Sequence, residues 1–302
     1  MTSEKKNVLL LGGTGFAGRH MVKELEDCQV FAYGKEVDVR DRDALRTAVA
    51  QSQPEWVIFF ASITTVRESL VDPKATYEIA FTGMLNLLTI LKDTGFSGKV
   101  LQVSSSEVYG HPTPEELPLR ETSSLRPMSP YSVAKLAAEF LSYQWWRSDG
   151  LEIVTARPFT HVGPGQSDRF AISNFSRQIA EIKLGRREPV MRVGDLSTTR
   201  DITDVRDTVR AYRMLLESGK PGEVYNVCSG VETSLKGMLD SLVTNSKQRI
   251  KVETDTDMLR AKEQQHLCGS YEKLQVATGW RPVFGLERTL TDTLDDWLRR
   301  LS

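Results

Sequence analysis

The 302-residue sequence predicts an α/β fold: a doubly wound parallel sheet with a smaller C-terminal part interleaved with it. Three observations lead there. Short β-rich runs alternate with longer amphipathic stretches through the first half, the order that builds a parallel sheet covered on both faces. The run Trp56-Val57-Ile58-Phe59-Phe60 is apolar without alternation, as a strand buried on both faces requires. The first strand also runs directly into a glycine-rich turn and then a helix. In order, strands are expected at 7–11, 29–33, 56–61, 99–103 and 152–157, with helices at 16–25, 43–52, 77–94 and 131–146 between them. Beyond Arg157 the chain loosens into Gly- and Pro-containing loops. A helix at 170–184, a strand at 189–193, a helix at 204–217 and a strand at 223–227 follow, the last returning to the sheet. The remainder is read as mostly helical and capping the cleft. Residues 1–162 and 200–229 are therefore assigned to one domain, and 163–199 with 230–302 to the other.

Composition narrows the function classes. Lys plus Arg number 39 against 40 Asp plus Glu, a net charge of −1, so no overall field steers the chain toward nucleic acid or an acidic membrane. The apolar run that starts at Val8 stops at Gly12, too short for the core of a signal peptide, and no stretch approaches the ~20 apolar residues of a membrane span. A cytoplasmic protein is expected. Cys28, Cys228 and Cys268 lack metal-ligand or disulfide spacing and read as structural thiols, so no metal is expected.

The segment Gly12-Gly13-Thr14-Gly15-Phe16-Ala17-Gly18 between strand and helix is the setting of a Rossmann-type dinucleotide turn. Glycine allows the tight turn and the close approach of backbone N–H groups to a pyrophosphate, while the helix N-terminus favours negative charge. A ligand-free glycine turn is the bland alternative, and position at the first strand weighs against it. Spacing satisfies both Gly-x-x-Gly-x-x-Gly and Gly-x-Gly-x-x-Gly. After the second strand, Tyr33-Gly34-Lys35-Glu36 offers a base and an acid where an acid alone would hold the ribose of NAD. Because Lys35 comes first, NADP(H) is the preferred cofactor, with NAD(H) possible.

Tyr131 and Lys135 lie four apart at the start of a predicted helix and so share one face. An ammonium near a phenol stabilises the phenolate and lowers its pKa, which suits a group that gives or takes a carbonyl proton. A Tyr and Lys at this spacing are commonly a surface pair. Here Ser104-Ser105-Ser106-Glu107-Val108-Tyr109-Gly110 follows the fourth strand, and carboxyl ends of parallel strands face the ligand crevice. Ser105 is read as reaching a bound carbonyl and Ser104 as a structural hydroxyl.

With these residues assembled, the sequence resembles the extended short-chain dehydrogenase/reductases, the group of sugar-nucleotide epimerases, 4,6-dehydratases and 4-ketoreductases. Ser105 to Tyr109 matches its Ser-x-x-Val-Tyr element, and Tyr131 to Lys135 its Tyr-x-x-x-Lys element. Asp38-Val39 matches the pair that the family uses near the adenine, and Phe60-Ala61-Ser62 the strand end that lines the cofactor. Stretches 125–131, 163–166, 200–207 and 224–230 lean toward the 4-ketoreductases acting on GDP-linked 4-keto-6-deoxyhexoses. The resemblance implies Ser105, Tyr131 and Lys135 as catalytic residues. For the cofactor it implies Gly12, Thr14, Gly15, Phe16, Ala17, Gly18, Lys35, Asp38, Val39, Phe60, Ala61, Ser62, Tyr131, Lys135 and Pro158. Ser106, Glu107, Thr160, Arg200 and Arg260 are implied at the substrate, with the two arginines on its diphosphate. An ion pair with Asp201 or Asp204 is the alternative for Arg200.

Two positions depart from the family pattern. Ala80 stands where Asn is usual before Gly83, and Thr160 replaces Asn in Phe159-Thr160-His161. Glu107 also sits where related dehydratases keep a glutamate base, so a bound-cofactor dehydratase or epimerase is the rival enzyme; a non-catalytic NADP(H)-sensing protein is a second rival. Helices 77–94 and 131–146 resemble those that pair family homodimers through four helices.

Overall fold

The computed structural model of the chain describes residues 5–63, 65–256 and 264–302. Strand β1 (Asn7–Leu11) sends Val8 and Leu10 into one apolar cluster and Leu9 and Leu11 into another, all four buried. Period-two alternation thus serves two cores, and the strand needs cover on both faces. Helices α1 (Phe16–Glu24) and α8 (Val205–Ser218) close the first face; α2 (Arg42–Ser52) and α5 (Gly83–Asp93) close the second. Between them β2 (Gln29–Tyr33), β1, β3 (Trp56–Phe59), β4 (Lys99–Val103), β5 (Glu152–Pro158) and β9 (Val224–Val227) form a six-stranded sheet, in that order. Every pairing is parallel. The chain turns outward from β1 to β2 and then crosses to β3 on the other side, so the crevice at the carboxyl ends of β1 and β3 is a topological switch point.

Helix α6 (Pro130–Asp149) begins where its sequence says it should. Ser129 accepts from the N–H of Ser132 at 3.1 Å, Ser132 accepts in return from the N–H of Ser129 at 3.0 Å, and Pro130 occupies the first turn. Gly150 ends it at φ 73°, a left-handed conformation that glycine adopts freely.

Three expected elements differ. The third strand ends at Phe59, although the N–H of Phe60 still donates to the carbonyl of Leu11 at 2.9 Å before the chain bends over the glycine turn. The expected helix at 77–94 is α4 (Pro73–Tyr77), a π-helical turn over Glu78–Thr82 that buries Ala80, and then α5. Gly83 follows that wide turn, and a Cβ on it would lie 2.4 Å from Val39 Cγ2, so the helix meets the segment after β2 at a point only glycine fits. The C-terminal part holds strands as well as helices. Besides β6 (Thr160–Val162), β7 (Val190–Val193) and β8 (Thr199–Asp204), it has β10 (Glu232–Ser234) on β8 and β11 (Lys251–Thr254) on β7. Neither β10 nor β11 buries a residue, so neither carries the buried alternation by which a strand is read.

A third cluster, built from α7 (Ala171–Lys183), α9 (Leu235–Ser246), α11 (Leu286–Leu301), β7 and β8, gives this part a core of its own. It is tied back to the sheet through α8. The buried Asp207 carboxylate accepts from the N–H groups of Val283 and Phe284 at 2.9 and 2.8 Å, and the Asp207 carbonyl accepts from the indole of the fully buried Trp280 at 3.0 Å. Among the described residues no helix is long and apolar enough to cross a membrane. Replacing Asp207 by Ala leaves two backbone donors unsatisfied in a buried place, and is expected to cost about 2–4 kcal/mol in denaturant unfolding.

Candidate functional site

The glycine turn sits at the switch point. The N–H groups of Gly12 and Gly13 both donate to the carbonyl of Tyr33 at 2.8 Å, pinning the turn to the end of β2. A Cβ on Gly18 would stand 2.5 Å from the carbonyl oxygens of Gly12 and Gly13, so helix α1 packs against the turn at a distance that excludes any side chain. A Cβ on Gly15 would meet only the Gly12 carbonyl, at 3.2 Å. Gly15, at the N-cap of α1, thus leaves room for a phosphate beside the free N–H groups of the first turn. This cradle fits a dinucleotide pyrophosphate. Arg19 holds its outer wall, donating to Thr14 O at 2.8 Å and Gly165 O at 3.1 Å, while Phe16 stacks on His161 with ring centres 5.9 Å apart. Neither Arg19 nor His161 was legible here, because the contacts that join the two segments, Arg19 to Gly165 and His161 to Phe16, span more than a hundred residues.

At the end of β2, Lys35 and Glu36 are both exposed, and Glu36 accepts the N–H of Gly34 at 2.6 Å. That bond holds the Glu36 carboxyl below its ordinary pKa, so it is anionic beside Thr14. Asp38 is clamped by Arg40, whose side chain donates at 2.6 and 3.0 Å, and this lowers the Asp38 pKa. Val39 is buried against Gly83, with its carbonyl accepting from Asn86 at 3.1 Å. Phe60 packs on Tyr212 with its ring tilted by 51°, and Ser62 donates to the Ile63 carbonyl at 2.9 Å; these residues follow β3 across the turn from Gly12.

At the end of β4 the structure brings together the three residues expected to carry chemistry. Ser105 caps the short 3₁₀ turn Ser106–Tyr109, accepting the N–H of Glu107 at 3.2 Å, and stands near enough to the Tyr131 phenol to favour its ionised form. Lys135 is buried one turn further along α6, with Nζ donating to the Val103 carbonyl at 2.9 Å and lying 5.9 Å from the Tyr131 ring centre. In the chain by itself the net shift of the phenol runs upward, against the direction expected from Lys135 alone. Burial pushes the Tyr131 phenol up to about 12, eased by Ser105 and reinforced by the charge of Glu107. Burial also brings the Lys135 ammonium down to about 8, opposed by Glu139. Ser104, read as structural, donates to Glu139. Glu139 in turn forms a buried pair with Arg157, at 2.6 Å from Nη2, and Arg157 donates to the Tyr109 hydroxyl at 3.0 Å. Sequence reading passed over Glu139 and Arg157; a Lys-x-x-x-Glu spacing on a helix that also buries Ala134 and Ala138 was the available signal.

On the opposite side of the crevice, Pro158 ends β5 beside Val227, and Thr160 opens β6 beside Ile202, partly exposed. Arg200 on β8 donates to the carbonyls of Thr199 and Gln264 at 2.7 and 2.9 Å. The two acids weighed as its partners are held elsewhere: Asp201 by the N–H groups of Ser229, Gly230 and Gly269, and Asp204 by Arg206 and Thr289. Ser106 is buried in the 3₁₀ turn. Arg260 lies outside the described residues. No group of three or more potential metal ligands occurs among the described residues.

Residues 31–293 match the profile of the GDP-mannose 4,6 dehydratase family. The chain belongs to that family. GDP-6-deoxy-D-mannose reductase of Pseudomonas aeruginosa is 37% identical to it over 300 residues, covering 98% of each chain. The structure of RMD from Pseudomonas aeruginosa complexed with NADPH superposes with a TM-score of 0.92 at 37% identity, over 98% of this chain and 100% of that one. The Thermus thermophilus UDP-glucose 4-epimerase complex with NAD gives 0.84 at 26% identity, over 96% and 98%. The six-stranded parallel sheet and the glycine turn of this GDP-mannose 4,6 dehydratase family member are thus those of a short-chain dehydrogenase/reductase.

Three sets of variants test this geometry. Tyr131→Phe is expected to lower turnover by roughly 10²-fold or more while sparing NADPH binding. Lys135→Met should harm both turnover and NADPH affinity. Because the Lys135 ammonium is lost as pH rises through about 8, kcat/KM should fall on an alkaline limb near that value, and Lys135→Met should erase the limb. At the end of β2, Glu36→Ala should sharpen the preference for NADPH over NADH and Lys35→Ala should narrow it, as read from kcat/KM with each cofactor.

Proposed function

We propose that the chain reduces the C4 keto group of GDP-4-keto-6-deoxy-D-mannose to form GDP-D-rhamnose, using NADPH in preference to NADH. The observation that carries this reading is the full-length likeness, at 37% identity, to GDP-6-deoxy-D-mannose reductase. The cofactor assignment is supported by the cradle at Gly12 to Gly18 and by the likeness to RMD complexed with NADPH.

The residues divide the work by position. Gly12, Thr14, Gly15, Phe16, Ala17 and Gly18 would hold the pyrophosphate, with Lys35, Asp38 and Val39 on the adenosine side and Phe60, Ala61, Ser62 and Pro158 along the remainder of the cofactor. When bound, the reduced nicotinamide supplies the hydride. Tyr131 is protonated at neutral pH and gives its proton to the oxygen on C4. Ser105, beside that phenol, donates to the same oxygen and orients it. The Lys135 ammonium opposes the negative charge left on Tyr131 and binds the nicotinamide ribose. Ser106, Glu107 and Thr160 shape the sugar pocket, and Arg200 and Arg260 grip the diphosphate.

Residues 1–162 with 200–229 would bind the dinucleotide, and 163–199 with 230–302 the sugar nucleotide. A homodimer is supported by the outer face of α6, where Val133, Phe140 and Tyr143 are exposed one and two turns apart. A cytoplasmic location suits a chain whose described residues include no membrane-spanning helix.

Glu107 favours a second reading, a 4,6-dehydratase, because it lies beside Ser105 and its charge acts on Tyr131. Incubation with GDP-4-keto-6-deoxy-D-mannose should oxidise one NADPH per sugar, with no reaction on GDP-mannose, and Glu107→Gln should impair turnover less than Tyr131→Phe. NMR of the product should show the rhamno configuration; the talo epimer would mean delivery to the other face. Dehydration of GDP-mannose without net NADPH consumption, abolished by Glu107→Gln, would replace the reductase with the dehydratase.

A further inference from the structure

Beneath the three chemistry-bearing residues lie two buried charges, Glu139 and Arg157, that the mechanism has not used. Lys135 and Glu139 stand one turn apart on α6, with relative exposures of only 4% and 5%. They attach to consecutive residues: Lys135 Nζ to the Val103 carbonyl, and Glu139 to the Ser104 hydroxyl. Arg157, on the adjacent strand β5, grips Glu139 as a fork, with Nε at 3.0 and 3.1 Å from its two oxygens and Nη2 at 2.6 Å. Arg157 is fixed from behind by the Tyr109 hydroxyl at 3.0 Å and the Glu121 carbonyl at 3.3 Å, and Tyr109 donates to Asn226 at 2.7 Å. Each lone charge would be expensive in such a place, and a bidentate pair costs least when its geometry is held.

We propose that Glu139 and Arg157 are a positioning unit for Lys135, in which the fixed carboxylate counterbalances the buried ammonium and Arg157 limits how strongly it does so. The unit touches neither cofactor nor sugar and acts only through Lys135, so the proposal rests on the catalytic reading above. Other charged or titratable groups around this cluster are Tyr131 on α6, Glu107 and Tyr109 on the 3₁₀ turn, Glu121 on the following loop, and Tyr212 on α8. Burial dominates both Tyr109, pushed up to about 12, and Tyr212, so both stay neutral. Glu107 acts on the Tyr131 phenol and Glu121 on Tyr109. Glu139 is the charge that supports Lys135.

The unit makes predictions of opposite sign, which a purely structural role would not. Glu139→Gln removes the carboxylate and leaves two buried cations, so the alkaline limb of kcat/KM should move toward lower pH by about one unit or more, given unit charges several ångströms apart at an effective dielectric near 20. Arg157→Met frees the carboxylate from its partner, and the limb should move toward higher pH. The double variant removes the pair together and should fold even if a single one does not; its limb should lie between those of the single variants. The pH dependence of NADPH affinity, measured by fluorescence titration, should show the same order of shifts, and it reads Lys135 whether or not the sugar substrate is correctly assigned. Loss of all NADPH oxidation by the parent protein with GDP-4-keto-6-deoxy-D-mannose would count against the substrate alone. Shifts of the same sign in both single variants, or an unmoved limb in either titration, would overturn the positioning role.

Discussion

Helix α6 is fastened to the end of β4 by two buried side chains of opposite charge, and most of the site hangs from that attachment. The lysine takes the last carbonyl of the strand and the glutamate takes the next hydroxyl, so the helix can neither slide nor rotate without exposing a charge to an apolar interior. Tyr131 lies on the same helix one turn earlier and inherits that placement. The arginine that completes the pair comes from β5, so the register between β4 and β5, Gln102 opposite Thr155 and Val103 opposite Ala156, also sets where the phenol stands. A buried pair of this kind is weak evidence of stability. Its geometry is strong evidence of precision.

The cofactor side is built on a different constraint, the absence of side chains. Gly13 approaches Ala32 so closely that a Cβ would lie 2.7 Å from the alanine Cβ, while Gly12 faces Phe60 and Gly18 faces the turn itself. Strand, turn and helix therefore meet without spacers, and the N–H groups of α1 stay available to an anion. Around this neutral cradle the charges are local. Lys35 and Glu36 sit at one rim, the Asp38–Arg40 pair at the next, and the near-zero net charge of the chain adds no general field.

The C-terminal part is joined to the sheet by carboxylates that accept backbone donors. Asp201 gathers the N–H groups of Ser229, Gly230 and Gly269, Asp207 those of Val283 and Phe284, and Asp296 that of Gly165. The segment 163–165 in turn touches the first helix, since His20 meets the Pro164 carbonyl at 2.8 Å and Arg19 that of Gly165. Sugar-side loops and dinucleotide turn are thus held by one set of hydrogen bonds, which gives the crevice a defined width. Two of these aspartates lie in the Arg200-to-Asp207 stretch that also carries Arg200.

The sequence by itself determined the α/β order, the glycine turn, the Tyr131–Lys135 spacing and the serine loop, because each depends on neighbours within a few positions or on a period of two or 3.6 residues. Helix α6, expected at 131–146, runs from Pro130 to Asp149, its start shifted by one residue. The tertiary structure decided what depends on distant partners. It set the phenol above and the ammonium below their ordinary pKa values, since burial is a property of the packed chain and not of a four-residue spacing. It turned Glu139 and Arg157 from unremarked charges into a forked pair 18 positions apart in sequence. It broke the helix expected at 77–94 with a π turn, and paired β10 with β8 and β11 with β7, through contacts that no local pattern announces.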